Sequence, residues 1–206
     1  MYKSSFALTM IALFAFSASA QKAWFTNSEF GFSMLEPQGW VLAEKRVLDE
    51  NVKQFDLSKA ALDRLATEDD ILLFAFTKYI PNSRRGLNPK IEARVISTGL
   101  NRSLSFEEFK PAIVKALETL RSNHQSYSYL VEPSAIDVLG GKGVYQISRY
   151  ALRTKERTEY TVRSRTYAIP YKAYYFQISF VDEIGGEDCS TLFDELATSI
   201  RIGNNL

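Results

Sequence analysis

Apolar residues recur along this chain at two different spacings. Steps of two mark strands, whereas steps of three and four mark helices. Phe30, Phe32 and Met34 alternate with Gly31, Ser33 and Leu35. Pro37-Gln38-Gly39 then marks a turn, and Trp40 and Leu42 resume the pattern, so residues 23–45 read as two strands around a turn. Residues 49–70 are more acidic, with Phe55, Leu62 and Leu65 near helical spacing, which predicts a helix. Residues 71–76 form a short unbroken apolar run, the mark of a strand buried on both faces. A segment holding Pro81, Asn82, Arg84, Arg85 and Gly86 leads into a further strand at residues 91–97.

The strongest helical pattern follows. Ser105 with Glu108 three residues on makes a capping box, and Leu104 and Phe109 take the hydrophobic-staple positions. Phe106, Phe109, Ile113, Leu117 and Leu120 form one apolar stripe. Pro111 interrupts the backbone bonding of this helix. Either the helix kinks there or Pro111 opens a second one; the stripe continues through it, which favours the kink. The second half is rich in strands. Residues 131–138 and 144–152 flank a turn at Leu139-Gly140-Gly141-Lys142-Gly143, and residues 158–169 and 174–180 flank Pro170-Tyr171-Lys172. Phe176, Ile178 and Phe180 share one strand face, with Tyr175, Gln177 and Ser179 on the other. A last helix over residues 188–201 presents Leu192, Phe193, Leu196 and Ile200 to a core. These elements predict an α+β domain, an antiparallel sheet with helices packed on it.

The first 20 residues stand apart. Lys3 supplies a positive leader, residues 6–16 form an apolar run of 11 positions broken only by Thr9, and Ala18-Ser19-Ala20 ends in small residues. These are the parts of a secretory signal, with cleavage expected between Ala20 and Gln21. The run is too short for a bilayer span of about 20 residues, and no cysteine follows it to carry a lipid anchor. The expected product is residues 21–206, one domain free in the periplasm or medium. Lys3 is the only charged side chain removed, so 24 of the 25 basic side chains remain against 24 acidic ones. That balance argues against nucleic acid and against steering to an anionic membrane.

Candidate chemistry is sparse. Cys189, the only cysteine, forms no internal disulfide. It falls where the last helix should begin, a position that can activate a thiol, although a small buried hydrophobe is the plainer reading. His124 is the only histidine and lies in a polar segment after a helix, where an exposed loop residue is the better reading than half of a catalytic pair. One cysteine and one histidine make no zinc site. Glu68-Asp69-Asp70 lacks the spaced ligands and central glycine of a calcium loop. Gly140-Gly141-Lys142-Gly143 lacks the hydroxyl and the following helix of a phosphate loop. The expectation is a non-enzymatic protein without cofactor or metal.

The order of elements and the block Gly31-Phe32-Ser33-Met34-Leu35-Glu36-Pro37-Gln38-Gly39-Trp40 resemble the PsbP-like and DcrB-like superfamily. Asn88-Pro89-Lys90-Ile91 and the helix opening at Ser105 are similar to the same pattern. The resemblance spans nearly all of residues 21–206. It implies an α-β-α sandwich around an antiparallel sheet and a mostly non-enzymatic group: photosystem II accessory subunits, a eukaryotic small-GTPase binder and bacterial envelope proteins. The matching positions are fold positions, so no functional residue carries over.

One feature points to a surface. Arg149, Arg153, Lys155, Arg157, Arg163, Arg165 and Lys172 crowd one strand-rich region, against Glu156 and Glu159. Tyr145, Tyr150, Tyr160, Tyr167, Tyr171, Tyr174 and Tyr175 lie among them. Arg163, Arg165 and Tyr167 share a face by the period-two rule. Arginine and tyrosine are enriched at interfaces, and a guanidinium fork suits a carboxylate or phosphate. The expected site is therefore Arg149, Arg153, Arg157, Arg163, Arg165 and Tyr167, binding an envelope protein or a small anionic ligand. The plain alternative is a charged sheet edge that discourages strand addition, or internal pairing with Asp182, Glu183, Glu187, Asp188, Asp194 and Glu195. A second functional reading is a carrier of a small apolar or amphipathic ligand between sheet and helix.

Overall fold

A computed structural model of the chain describes residues 22–44, 55, 70–80, 86–123 and 126–203. The expected signal segment, most of the expected helix over residues 49–70, Glu68, Asp69 and His124 lie outside the described residues. The described elements run β1 (Trp24–Asn27), β2 (Phe32–Leu35), β3 (Val41–Leu42), β4 (Asp70–Thr77), β5 (Lys90–Ser97), α1 (Phe106–Asn123), β6 (Ser128–Val138), β7 (Gly141–Arg153), β8 (Glu159–Tyr171), β9 (Tyr174–Glu183), α2 (Ser190–Thr198) and β10 (Arg201–Ile202). They build a seven-stranded sheet in the order β3-β4-β5-β9-β8-β7-β6 and a three-stranded sheet in the order β1-β2-β10, with antiparallel ladders throughout.

The opening segment corrects the expected pair of strands around one turn. Three strands form there, and they belong to different sheets. Phe32–Leu35 pairs with β1 and β10, whereas Val41–Leu42 pairs with β4. The Pro37-Gln38-Gly39 turn, closed by Trp40 N donating to the Pro37 carbonyl at 3.3 Å, therefore carries the chain from one sheet to the other. β4 is also not buried throughout. Its far half, Phe74 to Thr77, is buried, but Ile71 is 48% exposed. β3 pairs only with the far half, so among the described residues no strand lies beside the near half of β4 on that side.

α1 starts as the capping box requires. Glu108 N donates to Ser105 Oγ at 3.3 Å, and Ser105 N donates to Glu108 Oε2 at 3.0 Å. One helix then runs through Pro111, which removes only the bond to the Glu107 carbonyl. Leu104 and Phe106 pack beside Phe109, which is buried against Val144 and Ala168.

The two long hairpins have tighter turns than the sequence suggests. Val138 pairs with Gly141 and Tyr171 with Tyr174, leaving two-residue loops at Leu139-Gly140 and Lys172-Ala173. Gly140 adopts φ 101° against β10, where a Cβ would lie 1.8 Å from the Ile202 carbonyl oxygen. Only glycine fits that approach. The last helix is shorter than expected, and β10 follows it. Two residues are too few to show a period, and this strand forms because Arg201 and Ile202 add to Ser33 and Phe32 of β2.

Register fixes the faces of the large sheet. Phe176, Ile178 and Phe180 of β9 stand beside Val95, Ala93 and Ile91 of β5 and beside Ile169, Tyr167 and Arg165 of β8. This face is buried against Phe193 and Leu196 of α2 and Phe32 and Met34 of β2. Each fully buried phenylalanine contributes about 1.5–3 kcal/mol to folding. The opposite face carries Tyr175, Gln177 and Ser179 of β9, and α1 packs there.

Candidate functional site

The arginine-rich strands lie inside the sheet. β8 is flanked by β7 and β9, and the sheet edges are β3 and β6, so the charged-edge reading is corrected. The β7–β8 register sets Arg149 opposite Arg163 and Tyr145 opposite Tyr167, all on the α2 face. The β8–β9 register then sets Arg163 opposite Asp182, whose side chain is fully buried.

Arg163 and Arg165 are consumed internally. Arg163 donates from Nε to Asp182 Oδ1 at 2.8 Å, from Nη2 to Asp182 Oδ2 at 2.6 Å, and from Nη2 to Asp188 Oδ1 at 2.6 Å. The hydrogen bond with Asp182 raises the pKa of this guanidinium further and keeps it charged. Arg165 is only 5% exposed and donates from Nη2 to Ser190 Oγ at 2.6 Å. Its guanidinium carbon lies 5.5 Å from the Phe193 ring centroid. The Asp182 and Asp194 carboxylates stand 4.0 and 3.9 Å away, and Arg165 Nε and Nη1 make no hydrogen bond. Tyr167 is buried with its ring 4.7 Å from that of Tyr145, and burial pushes its phenol pKa up. Of the acidic residues named above, Asp182, Asp188 and Asp194 meet this pair. Glu187 instead binds Lys78 and Tyr79, and Glu195 binds Lys22.

Arg149, Arg153 and Arg157 are exposed. Arg149 donates to Ser128 Oγ at 2.9 Å, and Arg153 pairs with Glu159 at 2.8 Å. Arg157 sits in the β7–β8 turn at φ 67°. Lys172 lies at the far end of β8, over the Tyr171 ring. Of the six expected site residues, Arg165 and Tyr167 are thus buried, Arg163 is half-buried, and Arg149, Arg153 and Arg157 are exposed.

Cys189 occupies the position before α2, with its backbone N–H donating to Asp182 Oδ2 at 3.1 Å. The residue is 4% exposed and burial raises the thiol pKa, which is the behaviour of a packed core residue rather than of an activated nucleophile. Among the described residues no group of three or more His, Cys, Asp or Glu side chains is placed to hold a metal ion. Among them, too, no helix is long and apolar enough to cross a membrane.

The opposite face holds a concavity. Beyond Phe109, α1 and the sheet flank a half-open cleft of about 350 Å³, within the range of small-molecule sites. Ile113, Ala116 and Leu117 line its helix side, and Val144 and Ala168 its sheet side. Gln146, Thr166 and Gln177 supply polar atoms from β7, β8 and β9. Gln146 is 3% exposed; its Nε2 donates to the Tyr127 hydroxyl at 3.2 Å, while its Oε1 accepts no hydrogen bond. Tyr175 completes the wall, its phenol pushed up to about 12 by burial and then by Asp70, so it is neutral in ordinary buffers. Among the described residues none that lines the cleft is charged. Arg94, the partner of Gln177 across the β5–β9 ladder, already donates to Glu92 at 3.2 Å.

Gln146 is absent from the residues the sequence singled out. Its signal was the run of short or polar side chains on one face, Gln146 and Ser148 of β7 beside Ser164 and Thr166 of β8. Such residues leave space that large apolar ones would fill.

No family model and no curated protein matches the sequence. Solved structures do match. A Bacteroides thetaiotaomicron protein covers 90% of this chain at 14% identity and a TM-score of 0.48, and this chain spans 50% of its length. LpqN of Mycobacterium tuberculosis, described as involved in cell envelope biogenesis, covers 90% at 12% identity and a TM-score of 0.44. A cyanobacterial PsbP from Synechocystis covers 88% of this chain, and 92% of its own length is matched, at 12% identity and a TM-score of 0.50. With its antiparallel sheet, its two described helices and this overlap along nearly the whole PsbP chain, the protein has a PsbP-like fold.

Proposed function

We propose that this chain is an exported, non-catalytic carrier of a small amphipathic molecule, held in the cleft between α1 and the seven-stranded sheet. The observation that carries the reading is the cleft itself, about 350 Å³ between a helix wall of Ile113, Ala116, Leu117 and Thr119 and a partly polar sheet floor. Export rests on the signal pattern of residues 1–20. The α-β-α layering rests on α1 and α2 packing against opposite faces.

The test is mass spectrometry of solvent extracts from the protein purified from its own cells. The expected result is a co-purifying small molecule, lost in Ala116→Phe. Ala116 lies exposed on the helix rim of the cleft, so a larger side chain there occupies the space without disturbing the core. Consistent absence of any such molecule, or its retention in Ala116→Phe, would count against the carrier.

Binding of a protein or anionic partner through the arginine-rich surface is the second reading. The exposure of Arg149, Arg153 and Arg157 supports it. It stands second because Arg163, Arg165 and Tyr167 have their charges and rings turned inward.

A further inference from the structure

The lining of the cleft restricts what can occupy it. We infer that the ligand is an uncharged amphiphile whose hydroxyl, amine or amide group donates a hydrogen bond to Gln146 Oε1. This inference rests on the carrier reading and narrows it to a chemical class.

The first restriction is charge. Ile113, Leu117, Val144 and Ala168 offer no partner to an ion, and none of the polar residues around them is ionised. Arg94, the ladder partner of Gln177, is already bound to Glu92. A carboxylate, phosphate or ammonium seated on the floor of this cleft would lose water without gaining a counter-charge from the described residues, a penalty that grows with its burial.

The second restriction is hydrogen-bond polarity. Gln146 spends one amide hydrogen on the Tyr127 hydroxyl, which orients its carbonyl oxygen. That oxygen is buried and accepts nothing. A buried polar atom left unpaired is costly, whereas a matched partner recovers the loss. Gln146 lines the cleft, and its oxygen meets an occupant once the side chain turns toward it. A ligand bearing a donor then satisfies Gln146, and one bearing only acceptors leaves it unpaired and adds a repulsive contact. Sites built on such an atom discriminate strongly against analogues lacking the group.

The third restriction is size. The cleft has the volume of about a dozen waters at about 30 Å³ each, which suits a compact ring system or a short chain.

Three fluorescent probes with one aromatic body test the inference. N-phenylnaphthylamine is uncharged and carries an N–H donor; phenoxynaphthalene replaces that group with an ether oxygen; anilinonaphthalenesulfonate adds a negative charge. The expected order is tightest binding for the amine, about tenfold weaker binding for the ether, and no displacement of the amine by the sulfonate. In Gln146→Leu the amine should lose its advantage and match the ether. Gln146→Met, which keeps the side-chain length, should do the same, and circular dichroism establishes that both variants are folded. Ether binding as tight as the amine, an advantage kept in both variants, or equal binding of the sulfonate would overturn the ligand class. If instead Ala116→Phe leaves amine binding unchanged, or none of the probes binds, the carrier reading itself fails.

Discussion

Arg163 grips Asp182 across the β8–β9 ladder with two hydrogen bonds of 2.8 and 2.6 Å, and Asp182 is fully buried. The pair ties the centre of the sheet to the start of α2, because Asp182 also accepts the Cys189 backbone N–H. Removing Asp182 leaves Arg163 with Asp188 alone and takes the acceptor from the Cys189 N–H. Asp182→Ala should cost about 1–3 kcal/mol, the usual penalty for buried polar groups left unpaired. Replacing both, as Arg163→Met with Asp182→Leu, should recover much of that loss. Urea unfolding of the single and double variants measures it, and a double variant no more stable than Asp182→Ala would contradict the pairing argument.

Acid stability should follow Glu92. Burial alone would raise its pKa, but Lys90 and Arg94 outweigh it and bring the carboxyl down to about 2. The folded-state pKa is below the unfolded one. Glu92 therefore stabilises the fold above about pH 4.5 and loses that contribution as pH falls toward 2. Glu108, held by Arg102 and Ser105, and Asp188, held by Ser190 and Arg163, act in the same direction. Urea midpoints between pH 2 and 6 should fall less steeply for Glu92→Gln than for the parent chain. Parallel profiles would remove Glu92 from the account.

Two glycines at positive φ should respond unequally to alanine. At Gly39, φ 77°, a Cβ meets nothing within 4 Å, so the cost is backbone strain of about 1–2 kcal/mol. At Gly140 the same strain adds to a collision with the Ile202 carbonyl oxygen at 1.8 Å. Gly140→Ala should lower the melting temperature well beyond Gly39→Ala and release β10 from the hairpin, seen as faster amide exchange at Ile202, whose N–H donates to the Leu139 carbonyl at 2.8 Å. Equal effects would mean that the hairpin tip yields easily.

Charge reversal separates the two halves of the arginine set. Arg149→Glu, Arg153→Glu and Arg157→Glu together alter exposed positions, so stability should change by no more than about 0.5 kcal/mol per site. If these residues hold an anionic partner, crosslinked capture from the envelope should weaken in the triple variant and at high salt. Unchanged capture would remove this surface as a binding site. Arg163→Glu should instead unfold the protein, since it places a carboxylate against Asp182 and Asp188.

The strands and α1 were legible in sequence because each carries its own period and local stop signals. The capping box at Ser105 and Glu108 and the alternation at Phe176, Ile178 and Phe180 are of this kind. What could not be read depends on pairing between distant segments. Nothing local assigns Val41 and Leu42 to a different sheet from Phe32, or makes a strand of Arg201 and Ile202. The division of the arginine set was hidden for the same reason. Period two placed Arg163 and Arg165 on one face, but not which face α2 would cover. Asp182 was visible as an acidic residue nearby, yet only the β8–β9 register sets it opposite Arg163. The cleft needed three strands and a helix together, and its polar atoms looked like ordinary outward-facing side chains.

The central claim is that a ligand sits between α1 and the sheet, and backbone amide mapping by NMR during titration with N-phenylnaphthylamine tests it most directly. The expected result is saturable shifts confined to Ile113 and Ala116 of α1 and to Val144, Gln146, Thr166 and Ala168 of the sheet, abolished by Ala116→Phe. Shifts centred instead on the arginine-bearing face around Arg149 and Arg163, or none at saturating probe, would contradict it.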